Sequence, residues 1–133
     1  MKNMFKPQFV KDYLDTLDNN KGKESMDINS LCERSYRTAR LKGWWDYERD
    51  IPHVLALVHS EVSEALEAYR SNKLETWKRE SDSKPEGFAY ELADILIRVA
   101  DLSKHLDIDL EKAIEEKLNF NSTREYRHGN KTA

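Results

Sequence analysis

The sequence predicts an all-α fold, a bundle of short amphipathic helices with an additional N-terminal helix. Three observations lead there. Apolar residues recur at three- and four-residue intervals in five separate stretches, the spacing that gathers side chains on one face of a helix. Glycine and proline are scarce, four and three in 133 residues, so few points break those stretches. The remaining composition is heavy in Glu, Lys, Leu and Ala, which favour helix over sheet. A chain of 133 residues suits one domain with a core of its own.

The first helix is expected over about Pro7 to Leu17, where Phe9, Val10, Tyr13, Leu14 and Leu17 share a stripe. The polar run "DNNKGKES" follows as a connector. Residues 1–26 therefore read as a helical extension and linker, and 27–133 as the main domain. The second helix starts at Asp27 or Asn29, either of which can cap it, and runs to Leu41 before Gly43.

Asp50 and Pro52 open the third helix, since a proline in the first turn gives up an N–H that has no partner there. Its expected core stripe is Val54 or Leu55, Val58, Val62, Ala65, Leu66 and Tyr69. A polar loop from about Ser71 to Lys84 carries Trp77. Ser83-Lys-Pro-Glu86 reads as a capping box that opens the fourth helix. There the stripe is Leu92, Ile95 or Leu96, Val99, Leu102 and Leu106. Asp109 is the expected cap of a fifth helix through about Asn121, followed by a basic, polar tail.

Charge and cysteine content narrow the function. With 22 basic and 25 acidic residues, net charge -3, the chain has no global basic field and no nucleic-acid partner is expected. One cysteine, Cys32, leaves no intramolecular disulfide and no Cys-based zinc site. The N-terminal stretch intersperses charges too closely for a signal peptide, and no apolar run approaches a membrane span. A soluble, cytoplasmic protein is the expectation.

The chemistry concentrates in two acidic pairs. "HSEVSEALEAYR" places Glu61 and Glu64 one turn apart, and "ELADILIRVADL" places Glu91 and Asp94 likewise. Each pair spans about 60° of its helix and flanks the expected core stripe. Antiparallel packing of the two helices would turn all four carboxylates toward one cleft. Four like charges there repel, and a divalent cation relieves that repulsion. All-oxygen ligands select a hard ion, Mg²⁺ first and Mn²⁺ second. The plain alternative, in a chain with 25 acids, is a solvated helix flank.

At these residues the sequence resembles the MazG-like branch of the all-α nucleoside triphosphate pyrophosphohydrolases. The family's E-x-x-E and E-x-x-D motifs appear as Glu61-Val-Ser-Glu64 and Glu91-Leu-Ala-Asp94. "KGWWD" (Lys42 to Asp46) and "EKLNFNSTREYRHGNK" (Glu116 to Lys131) look like the family's Trp segment and C-terminal ending. The resemblance covers about Ile28 to Lys131. It lacks the histidine that relatives often carry on the helix before the Trp segment.

The resemblance implies a bundle of the all-α NTP pyrophosphatase type that cleaves a (d)NTP between its α and β phosphates, releasing a monophosphate and pyrophosphate. Nucleotide-pool sanitation is a role of that kind. It also implies that Glu61, Glu64, Glu91 and Asp94 hold Mg²⁺, with Glu61 or Glu64 accepting the proton of the attacking water. Relatives form homodimers or homotetramers, and a second copy is the expected partner besides the nucleotide.

Other residues carry two readings each. One of Trp44 and Trp45 is expected to stack on a base and the other to plug the helix corner. Lys42 reaches phosphate or decorates a helix end. Arg98 contacts phosphate or, as preferred, neutralises Asp94 or Asp101 on its own helix. Asp101 reads as a surface acid or one that supports the metal ligands from behind. In the tail, Lys117, Asn121, Arg124 and Arg127 are expected to bind phosphate, with His128 a gate or a bystander. His53, His59 and His105 read as structural, Cys32 as a small buried residue, and Trp77 as a loop anchor. A di-iron centre would need Glu-x-x-His pairs that neither motif supplies. The competing class is a non-catalytic helical interaction module.

Overall fold

The computed structural model describes residues 25–132; the expected first helix lies outside them. Among the described residues there are four long helices: α1 (Ile28–Leu41), α2 (Ile51–Arg70), α3 (Phe88–His105) and α4 (Leu110–Ser122). A two-strand antiparallel pair, β1 (Trp77–Lys78) with β2 (Pro85–Glu86), interrupts the loop between α2 and α3. The fold is mostly helical, as the periodicity predicts.

Asp27 caps α1 by accepting from the Ser30 N–H while the Ser30 hydroxyl receives the Asp27 N–H. Asp50 and Asp109 cap α2 and α4. Three helices end alike. Gly43, Asn72 and Asp107 take left-handed backbone just past the last turn. The residue after each donates to a carbonyl five positions back: Trp44 to Ala39, Lys73 to Ala68, Ile108 to Ser103. That closure satisfies carbonyls a helix end leaves open.

The start of α3 differs from the expected capping box. Pro85 and Glu86 are in the strand pair, and the cap is Gly87, at φ 124° with no side-chain cap bond. A Cβ at Gly87 would stand 2.4 Å from the Glu75 carbonyl oxygen. The chain therefore turns into α3 where only glycine fits. Glu86 instead pairs with Arg79 and Lys84 across the hairpin.

Helix α3 is the centre of the fold, with α1 and α2 on either side. The pairs Tyr69–Phe88 and Glu61–Arg98 show that α2 and α3 run antiparallel. On α1, Glu33 bridges to Lys104 of α3 at 3.0 Å, and Asn29 donates to Glu111 of α4. Four consecutive residues of α3, Ala100 to Ser103, are buried, as expected of a helix covered on several sides.

The core is thinner than the expected stripes require. On α2 the buried residues are Val54, Glu61 and Ala65, whereas Leu55, Val62, Leu66 and Tyr69 are exposed. On α3, Leu102 is buried but Leu92, Leu96 and Leu106 are exposed. The apolar arc of α2 is wider than one neighbour can cover. Half of it meets α3, whose Phe88 ring lies 6.1 Å from that of Tyr69, and Leu55, Val62 and Leu66 stay exposed.

Candidate functional site

Glu61, Glu64 and Glu91 each place a carboxylate oxygen within 4.8 Å of the others. Antiparallel packing of α2 on α3 produces this, because residues 61 and 64 pass beside residue 91. Glu61 does not flank the core stripe as expected; it lies on it, in line with Val54 and Ala65, and is 7% exposed. What makes that tolerable is Arg98, whose Nε donates to Glu61 Oε1 at 2.5 Å. A buried charge needs such a partner. Arg98 thus reaches across to α2 instead of pairing along its own helix.

The electrostatics show an acidic centre. The Glu91 carboxyl is pushed above the usual carboxylate range by burial, then by Glu64 and Asp94. Burial also raises Asp94, with Glu61 adding to it while Lys84 and Arg98 oppose. Asp94 is not within the close group of three. It lines the adjoining cleft instead. The three clustered glutamates with Asp94 beside them suit a hard divalent cation, the donors being oxygen only and mutually repelling.

A cleft of about 510 Å³ opens from Glu61 and Asp94 along the groove between α1 and α3. That volume is in the range of small-molecule sites. Four cations line it, Arg34, Lys42, Arg49 and Arg98. Trp44 lines it too and is 60% exposed, with the Arg49 guanidinium 5.6 Å over its ring. Trp45 lies beneath: its ring stacks on His105 at 3.7 Å and 11°, and its Nε1 donates to Asp101 Oδ1 at 2.7 Å. Tyr36 closes the aromatic group, 6.2 Å from Trp45 and 5.9 Å from His105.

The remaining candidates lie elsewhere. Lys117, Asn121, Arg124 and Arg127 are exposed on α4 and the following turn, and none lines the cleft. Lys117 and Arg124 instead lie over the Phe120 ring. Trp77 is exposed beside Lys73. Asp101, read from sequence as a surface acid or a support behind the metal ligands, is not on the surface. It is 9% exposed and fixes the indole of Trp45, and burial raises its carboxyl against the opposing pull of that bond.

Four polar residues of the cleft, Arg34, Ser35, Thr38 and Arg49, belong to none of the sequence motifs. Ser35 had a signal: it falls on the apolar stripe of α1 with Leu31, Cys32 and Ala39, and a polar residue there has to face something polar. Arg49 had none, because its place depends on how the Trp segment folds back. In comparisons with family models, curated proteins and solved structures, the chain matches none.

Proposed function

We propose that the protein is a Mg²⁺-dependent nucleoside triphosphate pyrophosphohydrolase of the MazG-like type, with Mn²⁺ a workable substitute. The observation that carries this is the join of two unlike features. A group of three carboxylates lies at one end of a cleft whose walls hold four cations and an exposed indole. Acids alone suit a metal, and cations alone suit any anion. Side by side they suit a metal-bound polyphosphate attached to a ring.

In this reading Glu61, Glu64, Glu91 and Asp94 hold the ion, which neutralises the polyphosphate and acidifies a water. Lys42 and Arg98, both on the cleft wall, hold phosphate oxygens, Arg98 as a two-pronged donor. Of the two candidate bases, Glu64 is favoured. It is exposed, whereas Glu61 is buried and already accepts from Arg98. Glu64 takes the proton of the water that attacks the α phosphorus, and pyrophosphate leaves. A monophosphate remains in the cleft, which fits removal of unwanted (d)NTPs from a cytoplasmic pool.

A second copy of the chain is the expected partner. Leu55, Val62, Leu66 and Tyr69 form one exposed stripe on α2, and an apolar stripe of that length is ordinarily covered. A homodimer or homotetramer covers it.

The test is pyrophosphate release from a panel of (d)NTPs with Mg²⁺ and with EDTA, for the wild type and Glu64→Gln. Release that needs the metal and falls about 10²- to 10⁴-fold in the variant supports the reading. No release from any nucleotide by folded protein overturns it in favour of a non-catalytic interaction module.

A further inference from the structure

We infer that residues 7–17 of this chain, which lie outside the described part, cover the apolar side of α4. The surface is away from the cleft, and nothing in it depends on the pyrophosphohydrolase reading.

Helix α4 buries none of its 13 residues, whereas each of the other three long helices buries two or more. An isolated helix of that length is marginal in water, and helices in proteins draw most of their stability from a packed face. Such a face exists on α4. Leu110, Ile114 and Leu118 recur at four-residue intervals and share one side, with Lys112, Glu115, Glu116 and Asn119 opposite. Leu110 and Ile114 are half-buried, but Leu118 is 61% exposed. Phe120 lies off this stripe, under Lys117 and Arg124.

The place where the described chain begins points to the occupant. Asn29, in the first turn of α1, donates to Glu111 of α4. Glu111 and Leu118 are seven residues apart, on the same side of α4 and about 10 Å along it. The described chain starts at Ser25, four residues before Asn29, so residues 1–24 join the body beside that side of α4. The exposed stripe of α2 is less accessible from there, because α1 and α2 lie on either side of α3.

The segment has the matching pattern and reach. Phe9, Val10, Tyr13, Leu14 and Leu17 fall at helical spacing, with Lys11, Asp12, Asp15 and Asp18 on the other side to face water. A helical stripe from Phe9 to Leu17 is about 12 Å long, and Leu110 to Leu118 spans the same. The stretch from Leu17 to Ser25 can extend to about 26–29 Å, enough to lay the segment alongside α4. A tethered segment also meets its site at an effective concentration on the order of millimolar. A second copy in micromolar solution competes poorly with that.

Amide hydrogen exchange on the full-length protein tests the inference, because a mutual contact has to show from both sides. Residues 110–122 should exchange about ten- to a hundredfold faster in Leu14→Asp than in the wild type, the effect of losing one buried apolar side chain. Asp15→Asn, on the opposite side of the segment, should leave α4 as it was. Leu118→Asp should in turn speed exchange of residues 7–17. Leu14→Asp alters no residue of α4, so the question stays answerable if Leu118→Asp unfolds that helix. Exchange in α4 that is unmoved by Leu14→Asp, or moved as much by Asp15→Asn, overturns the inference. So does protection of α4 that fades on dilution, which would assign the surface to a second copy.

Discussion

Arg98 on α3 donates to Glu61 on α2 at 2.5 Å, setting a guanidinium against one member of the three-glutamate group. That bond decides how a carboxylate can occupy the packed face of α2. Replacing Arg98 with Met leaves Glu61 buried and unpaired beside Glu64 and Glu91. In EDTA the variant should lose about 3–5 kcal/mol of stability in urea unfolding. Saturating Mg²⁺ should return part of that loss, since a ligand bound only by the folded state stabilises it. A variant as stable as wild type in EDTA would show that the pair does not hold Glu61.

Stability should also depend on pH in a metal-dependent way. Glu91, Asp94 and Asp101 have carboxyls raised above 4.5, 3.8 and 3.8 respectively. A raised carboxyl binds more protons folded than unfolded, so stability falls as pH climbs from the ordinary value through the raised one. Asp82, held down to about 2 by its bond to Arg79, acts oppositely, and its contribution is lost as pH drops from 3.8 toward 2. In EDTA, stability should therefore decline as pH rises above the ordinary carboxylate values, and Glu91→Gln should flatten the decline. Mg²⁺ should offset it. Melting curves across that range, with and without the ion, check both statements.

Gly87 allows no other residue. Its φ of 124° and the 2.4 Å approach of the Glu75 carbonyl to a built Cβ act together. Gly87→Ala should cost about 1–3 kcal/mol from backbone strain alone, with the steric conflict added. Because this turn leads into α3, which carries Glu91 and Asp94, pyrophosphate release should fall as well. An urea midpoint unchanged by the substitution would contradict the geometry.

The exposed stripe on α2 gives a simple test of assembly. Leu66 is 54% exposed, so Leu66→Glu should cost the isolated chain little. In an oligomer it would bury a charge. Sedimentation should show a dimer or tetramer for the wild type and a smaller species for the variant. A wild-type monomer at micromolar concentration would leave that face without the partner argued here.

The helices were legible because their signals are local. Asp27, Asp50 and Asp109 are caps by residue type and place, and the 3.6-residue period marked each long helix. The spacing of Glu61, Glu64, Glu91 and Asp94 was legible for the same reason. The Ser83–Glu86 box failed because its residues pair in a hairpin, and a strand contact between distant positions overrides a local cap.

What the tertiary structure decided is which side of each helix meets which neighbour. Leu66 and Ala65 are adjacent in sequence and equally at home in an apolar stripe, yet only Ala65 faces α3. Asp101 reads as an unremarkable acid until α1 and the Trp segment close over it and Trp45 takes one of its oxygens. Helical period fixes the angle between side chains on one helix and says nothing of the angle at which the next helix packs. The acidic motif could therefore be seen in the sequence, but the reach of Arg98 across to Glu61 and the burial of Asp101 against Trp45 could not.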